Sequence, residues 1–98
     1  MGTDQAKKFT TLDIYLSSFI SLQGIEPVLE IKGNKVAFTF EPTDRLYRLM
    51  ADFNSNVDVP VADYATAIKA LKGKMLSAKE SISRNGNGEM IYGKPVFR

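Results

Sequence analysis

The stretch Val28–Phe40, VLEIKGNKVAFTF, constrains this chain more than any other. Gly33-Asn34 is a two-residue loop suited to a tight primed turn, with glycine free to take positive φ. Centring the turn there pairs Lys32 with Lys35, Ile31 with Val36, Glu30 with Ala37 and Leu29 with Phe38. Pro27, Leu29, Ile31, Val36, Phe38 and Phe40 then fall on one face, and Val28, Glu30, Lys32, Lys35, Ala37 and Thr39 on the other. One face is wholly apolar and the other mostly polar. Turn chemistry and burial pattern therefore select the same register, and a slip of one residue would exchange the two faces. The segment 26–41 reads as a hairpin.

Helical periodicity flanks it. In FTTLDIYLSSFISLQG, residues Leu12, Tyr15, Leu16, Phe19, Ile20 and Leu22 share a face at about 100° per residue. Thr10 or Thr11 can cap this helix, with Asp13 in its first turn, and Gly24 suits a left-handed C-terminal cap. Phe9 and Thr10 can form a very short strand before it. Thr43 caps a second helix with a stripe of Leu46, Leu49, Met50 and Phe53. Pro60 is a good first residue for a third helix. The spacing predicts helices over about 12–22, 44–54 and 60–82. The fold class is α+β: a small antiparallel sheet built on the hairpin, open to a short third strand, with three helices on one face. Residues 1–82 make one domain. Residues 83–98 hold two Asn-Gly pairs and the segment EMIY. That composition suits either a mobile polar tail or a short added strand on a sheet edge.

This pattern resembles a family of small prokaryotic domains of unknown function. The elements that carry the resemblance are Phe9, Thr11, Asp13 and Gly24, then Val36, Phe38 and Phe40, and then Val57, Asp58, Pro60, Tyr64, Ile68, Leu71 and Lys72. They span residues 9 to about 80 and leave the tail outside. The resemblance implies a three-helix, short-sheet layout and transfers no catalytic residue.

Composition narrows the chemistry. The 98 residues contain no cysteine and no histidine. Disulfides and thiolate metal sites are thereby excluded, and the commonest general base is missing. The N-terminal MGTDQAKKFTT lacks the apolar segment of a secretory signal, and Ala6 fails the myristoylation pattern. No run reaches the roughly 18 apolar residues that span a bilayer. A cytoplasmic location without membrane contact is the expectation. Glu30 to Lys32, EIK, matches half of a restriction-type nuclease site. The second carboxylate that such a site needs would have to come from Asp13, on a preceding helix instead of a strand. Ser17, Ser18 and Ser21 have no histidine to activate them, and the glycine segments lack phosphate-binding spacing. We expect no enzyme activity and no cofactor, and the residues specify no small-molecule ligand.

Association is the stronger theme. In the last helix Tyr64, Ile68, Leu71, Met75, Ala78 and Ile82 recur at steps of four and three, a seam in the manner of a coiled coil. A helix over 60–82 is about 34 Å long. A domain of this size is about 30 Å wide. Met75, Ala78 and Ile82 therefore lie where the compact body runs out, and are candidates for a homodimer interface. The alternative reading is weak nucleic-acid binding. Residues 1–64 carry six basic and nine acidic side chains, and residues 65–98 seven basic and two acidic. Lys69, Lys72, Lys79 and Arg84 are the candidate phosphate contacts, with Tyr92 or Phe97 available to stack on a base. Lys74 lies on the opposite side of the seam from Lys72 and Lys79. The lysines therefore border an apolar strip, as snorkelling stems do around an interface.

Overall fold

The computed structural model describes the backbone over residues 7–87 and side-chain surroundings over residues 7–81. The element order is β1 (Phe9–Thr11), α1 (Ile14–Leu22), β2 (Val28–Lys32), β3 (Lys35–Phe40), α2 (Asp44–Asn54) and α3 (Val61–Asn87). The three strands form one antiparallel sheet in the order β1-β3-β2. The predicted α+β class and one-sided helical layer are what the chain adopts.

The hairpin register is the one the turn dictates. Lys32 faces Lys35, Ile31 faces Val36, Glu30 faces Ala37, and Leu29 faces Phe38. Gly33 takes φ 64° at the first loop position. A primed turn that matches the twist of the strands needs that value, and glycine meets it without steric cost. The third strand also forms, one residue longer than expected: Phe9, Thr10 and Thr11 pair with Phe40, Thr39 and Phe38. β3 is thus the central strand. All of Val36, Ala37, Phe38, Thr39 and Phe40 are buried, which corrects the simple two-faced reading. Ala37 and Thr39 are small residues of the outer face: Ala37 faces Glu30 on β2, and Thr39 stands between Thr10 on β1 and Val28 on β2. The Thr39 Oγ1 lies 3.3 Å from that of Thr10. Ile31 departs in the other direction. It sits on the apolar face but is 52% exposed, because β2 is an edge strand.

β1 consumes Thr11, so the cap of α1 moves to Asp13. Its Oδ1 accepts from the amides of Tyr15 at 2.9 Å and Leu16 at 3.2 Å. The helix ends as predicted at Gly24, with φ 97°. The Ile25 amide donates to the Ile20 carbonyl and the Gly24 amide to that of Ser21, a Schellman closure. Its buried arc differs from the predicted one. Leu16, Phe19 and Ile20 are buried, but so are Ser17 and Ser18, whereas Leu12 and Tyr15 are more than half exposed. The periodicity located only the side of α1 that meets the sheet. α2 and α3 also pack against α1, and the serines fall within the arc that they cover.

α2 has the predicted bounds and the predicted Thr43 cap, whose Oγ1 accepts from the Leu46 amide at 3.1 Å. It closes with the same motif as α1, here with Asn56 in the left-handed position at φ 62°. Leu46 and Leu49 join Leu16, Phe19, Ile20, Phe38, Phe40 and Leu71 in one core cluster. α3 begins after Pro60, whose carbonyl accepts from the Tyr64 amide. It continues through Ser83 and Arg84 to Asn87, past the predicted end at 82, because nothing between Ile82 and Asn85 breaks a helix. The predicted tail therefore begins later than 83. The question of a mobile tail or an added strand over 88–98 lies outside the described residues.

Candidate interaction surface on the last helix

α1 and α3 run in the same direction. The Tyr64 hydroxyl, near the start of α3, donates to the Tyr15 carbonyl near the start of α1, at 2.9 Å. The Tyr64 phenol is held above its usual pKa, first by burial, then by the Asp13 carboxylate and then by Tyr15. Ten residues further on, Lys74 Nζ lies 3.7 Å from the Glu26 carboxylate, just past the end of α1. Between these two ties Leu71 is the one fully buried side chain of α3 among the described residues. Tyr64, Ile68, Met75 and Ala78 are half-buried, and Tyr64 and Met75 pack against the core cluster.

A large length mismatch sets the geometry of the site. α1 has 9 residues and spans about 14 Å; α3 has 27 and spans about 40 Å. Registered at their starts, α3 has outrun α1 by about Met75, and it also meets β2 and β3. Met75 is half covered and packs against the core cluster, and Ala78, one turn on, is also half-buried. Ile82 is helical, and its side chain lies outside the described residues, as does that of Arg84.

The cationic residues divide. Lys74 is engaged with Glu26, whereas Lys69, Lys72 and Lys79 are exposed and form no ion pair among the described residues. On the helix surface these three fall within about 80° of one another. Leu76, 52% exposed, lies between them. Sequence reasoning passed over Leu76 because it stands off the apolar seam. The spacing of 69, 72, 76 and 79, steps of three, four and three, was the signal that groups it with the lysines.

The other candidates do not assemble into sites. Asp13 spends its carboxylate on two backbone amides and stands away from the edge that carries Glu30. Among the described residues no group of three acidic side chains is placed to hold a metal ion. Ser17 Oγ donates to the Asp13 carbonyl and Ser21 Oγ to Glu26, while Ser18 Oγ is buried without a partner. A hollow of about 170 Å³ is lined by Ile25, Val28, Thr39 and Phe40 together with the charged residues Lys8, Glu26, Glu30 and Glu41. Two of its acidic residues are already paired, Glu41 with Lys8 at 2.6 Å and Glu26 with Lys74. No helix among the described residues is long and apolar enough to cross a membrane.

Comparison with curated proteins and with solved structures finds no match. The family model described as a domain of unknown function (DUF5659) matches residues 6–77, most of the chain, and the chain belongs to that family.

Proposed function

We propose that this domain is a non-enzymatic interaction module whose copies pair through the far half of α3. One observation carries the reading: a 27-residue helix lies beside a 9-residue one, so its later seam positions extend beyond α1 and stay only half-buried where described. Met75 and Ala78 stand at that boundary, and the family match ends at residue 77 while the helix goes on. Two such strips, brought together about a twofold axis, would bury each other, with lysine stems along the borders. The test is mass by light scattering across a concentration series. The wild-type chain is expected to self-associate at tens of micromolar, and Met75→Glu combined with Ala78→Glu to show a lower mass at the same concentration. A wild-type chain that stays monomeric at high micromolar concentration removes the reading.

A second reading has its own observation. Lys69, Lys72 and Lys79 share one exposed side of α3 without acidic partners among the described residues, and phosphate binding requires no more than that. Exposed Leu76 in their midst counts against it, since a phosphate backbone offers nothing to cover a leucine. A gel shift with duplex and single-stranded probes at low and moderate salt separates the two readings. Phosphate-driven binding weakens steeply as salt rises, and Lys72→Glu would weaken it further.

A further inference from the structure

β2 is an edge strand, and its free side is open. A two-residue loop closes on a hydrogen-bonded pair, so Lys32, and with it Glu30 and Val28, direct their backbone groups toward β3. The N–H and C=O groups of Leu29 and Ile31 consequently aim outward. Among the described residues no backbone hydrogen bond from outside the sheet reaches either of them. The same strand carries two large exposed apolar side chains, Val28 at 64% and Ile31 at 52%. An unpaired edge with apolar side chains is a template for another strand.

The charges on this strand indicate which strand it fits. Glu30 and Lys32 are two residues apart and share the outer face, where they reach each other only at 3.8 Å. Two antiparallel copies of VLEIK can meet in two neighbouring registers. Centred on Glu30, the two glutamates stand opposite each other, which is unfavourable. Centred on Ile31, each Glu30 faces Lys32 of the partner subunit, the two Ile31 residues exchange both backbone hydrogen bonds, and their side chains cover one another on the inner face.

We propose that the β2 edge takes β2 of a second copy, antiparallel, about a twofold axis through Ile31, so that two three-stranded sheets join into one of six. This surface goes beyond the α3 reading and does not depend on it. If both surfaces are used, copies continue past the dimer; if only this one is used, they stop at two.

The absence of cysteine makes the register directly testable by cross-linking in a glutathione redox buffer. Facing residues in a hydrogen-bonded antiparallel pair have Cα atoms about 5.5 Å apart, within disulfide reach. Ile31→Cys is expected to form a covalent dimer many-fold faster than Lys35→Cys, an exposed control off the edge, and to do so also in the Met75→Glu, Ala78→Glu background. Ile31→Pro removes the outward N–H together with the facing side chain, and is expected to abolish association beyond the α3 pair while circular dichroism stays unchanged. Glu30→Lys should block the cross-link at position 31, and adding Lys32→Glu should restore it. Equal rates at positions 31 and 35 overturn the proposal, as does preferential cross-linking of Glu30→Cys over Ile31→Cys.

Discussion

α1 and α3 lie side by side and are buried in opposite ways. α1 is short and has five consecutive buried residues, Leu16 to Ile20. α3 is three times as long and buries Leu71 alone among its described residues. Position in the architecture accounts for the difference. α1 has the sheet beneath it and a helix on each flank, so even its serines lose solvent. α3 is the outer member: it meets α1, β2 and β3, yet only Leu71 among its described residues is fully enclosed. Burial here follows how many neighbours an element has, and the apolar pattern records only one of them.

That contrast sets an order of effects. Ile20→Ala should be the most damaging, costing about 2–5 kcal/mol in urea denaturation, because the site is closed on every side and cannot collapse. Leu71→Ala should approach that range, since it is α3's anchor in the core, whereas half-buried Met75→Ala should cost clearly less. Equal losses at 20 and 75 would break the comparison.

Asp13→Ala removes the cap of the buried helix and should cost about 1 kcal/mol, read from the same urea midpoints. Tyr64→Phe sharpens the comparison at the contact between the two helices. The folded-state phenol titrates above its ordinary value, so its contribution is intact below about pH 10. It is lost as pH rises through the raised folded value, because the unfolded chain gives up the proton first. The wild-type stability should fall over that window more steeply than that of Tyr64→Phe, as thermal melts between pH 8 and pH 11 would show. Ser18→Ala should have the smallest effect, within about 0.5 kcal/mol of wild type or slightly stabilising. It removes a buried hydroxyl that has no hydrogen-bond partner. A loss above 1 kcal/mol would mean that this serine is bonded after all.

The parts legible in the sequence were those fixed by local rules. Gly33-Asn34 with alternating neighbours gave the hairpin register to the residue, and Thr43 with a clean stripe gave α2 its bounds. The centrality of β3 was not legible. It depends on Phe9 meeting Phe40, and a three-residue strand has no periodicity to announce itself. The cap at Asp13, the burial of Ser17 and Ser18 and the exposure of Ile31 all follow from that long-range pairing and from three elements converging on α1. In the candidate site, Met75 and Ala78 are half-buried, and the side chain of Ile82 lies outside the described residues. The grouping of Leu76 with Lys69, Lys72 and Lys79, and the pairing of Lys74 with Glu26, emerged only once solvent exposure was known.

The strand order has a consequence for how the chain is made. β1 and β2 run parallel and never touch; β3, last of the three in sequence, slides between them. Until Phe40 has left the ribosome, no sheet exists, and the apolar side of α1 has nothing to lie on. Synthesis at about 5–20 residues per second leaves that side uncovered for a second or more. The hairpin is local and quick to form, so its closure is the event that turns a nascent helix with an exposed greasy side into a sheltered one.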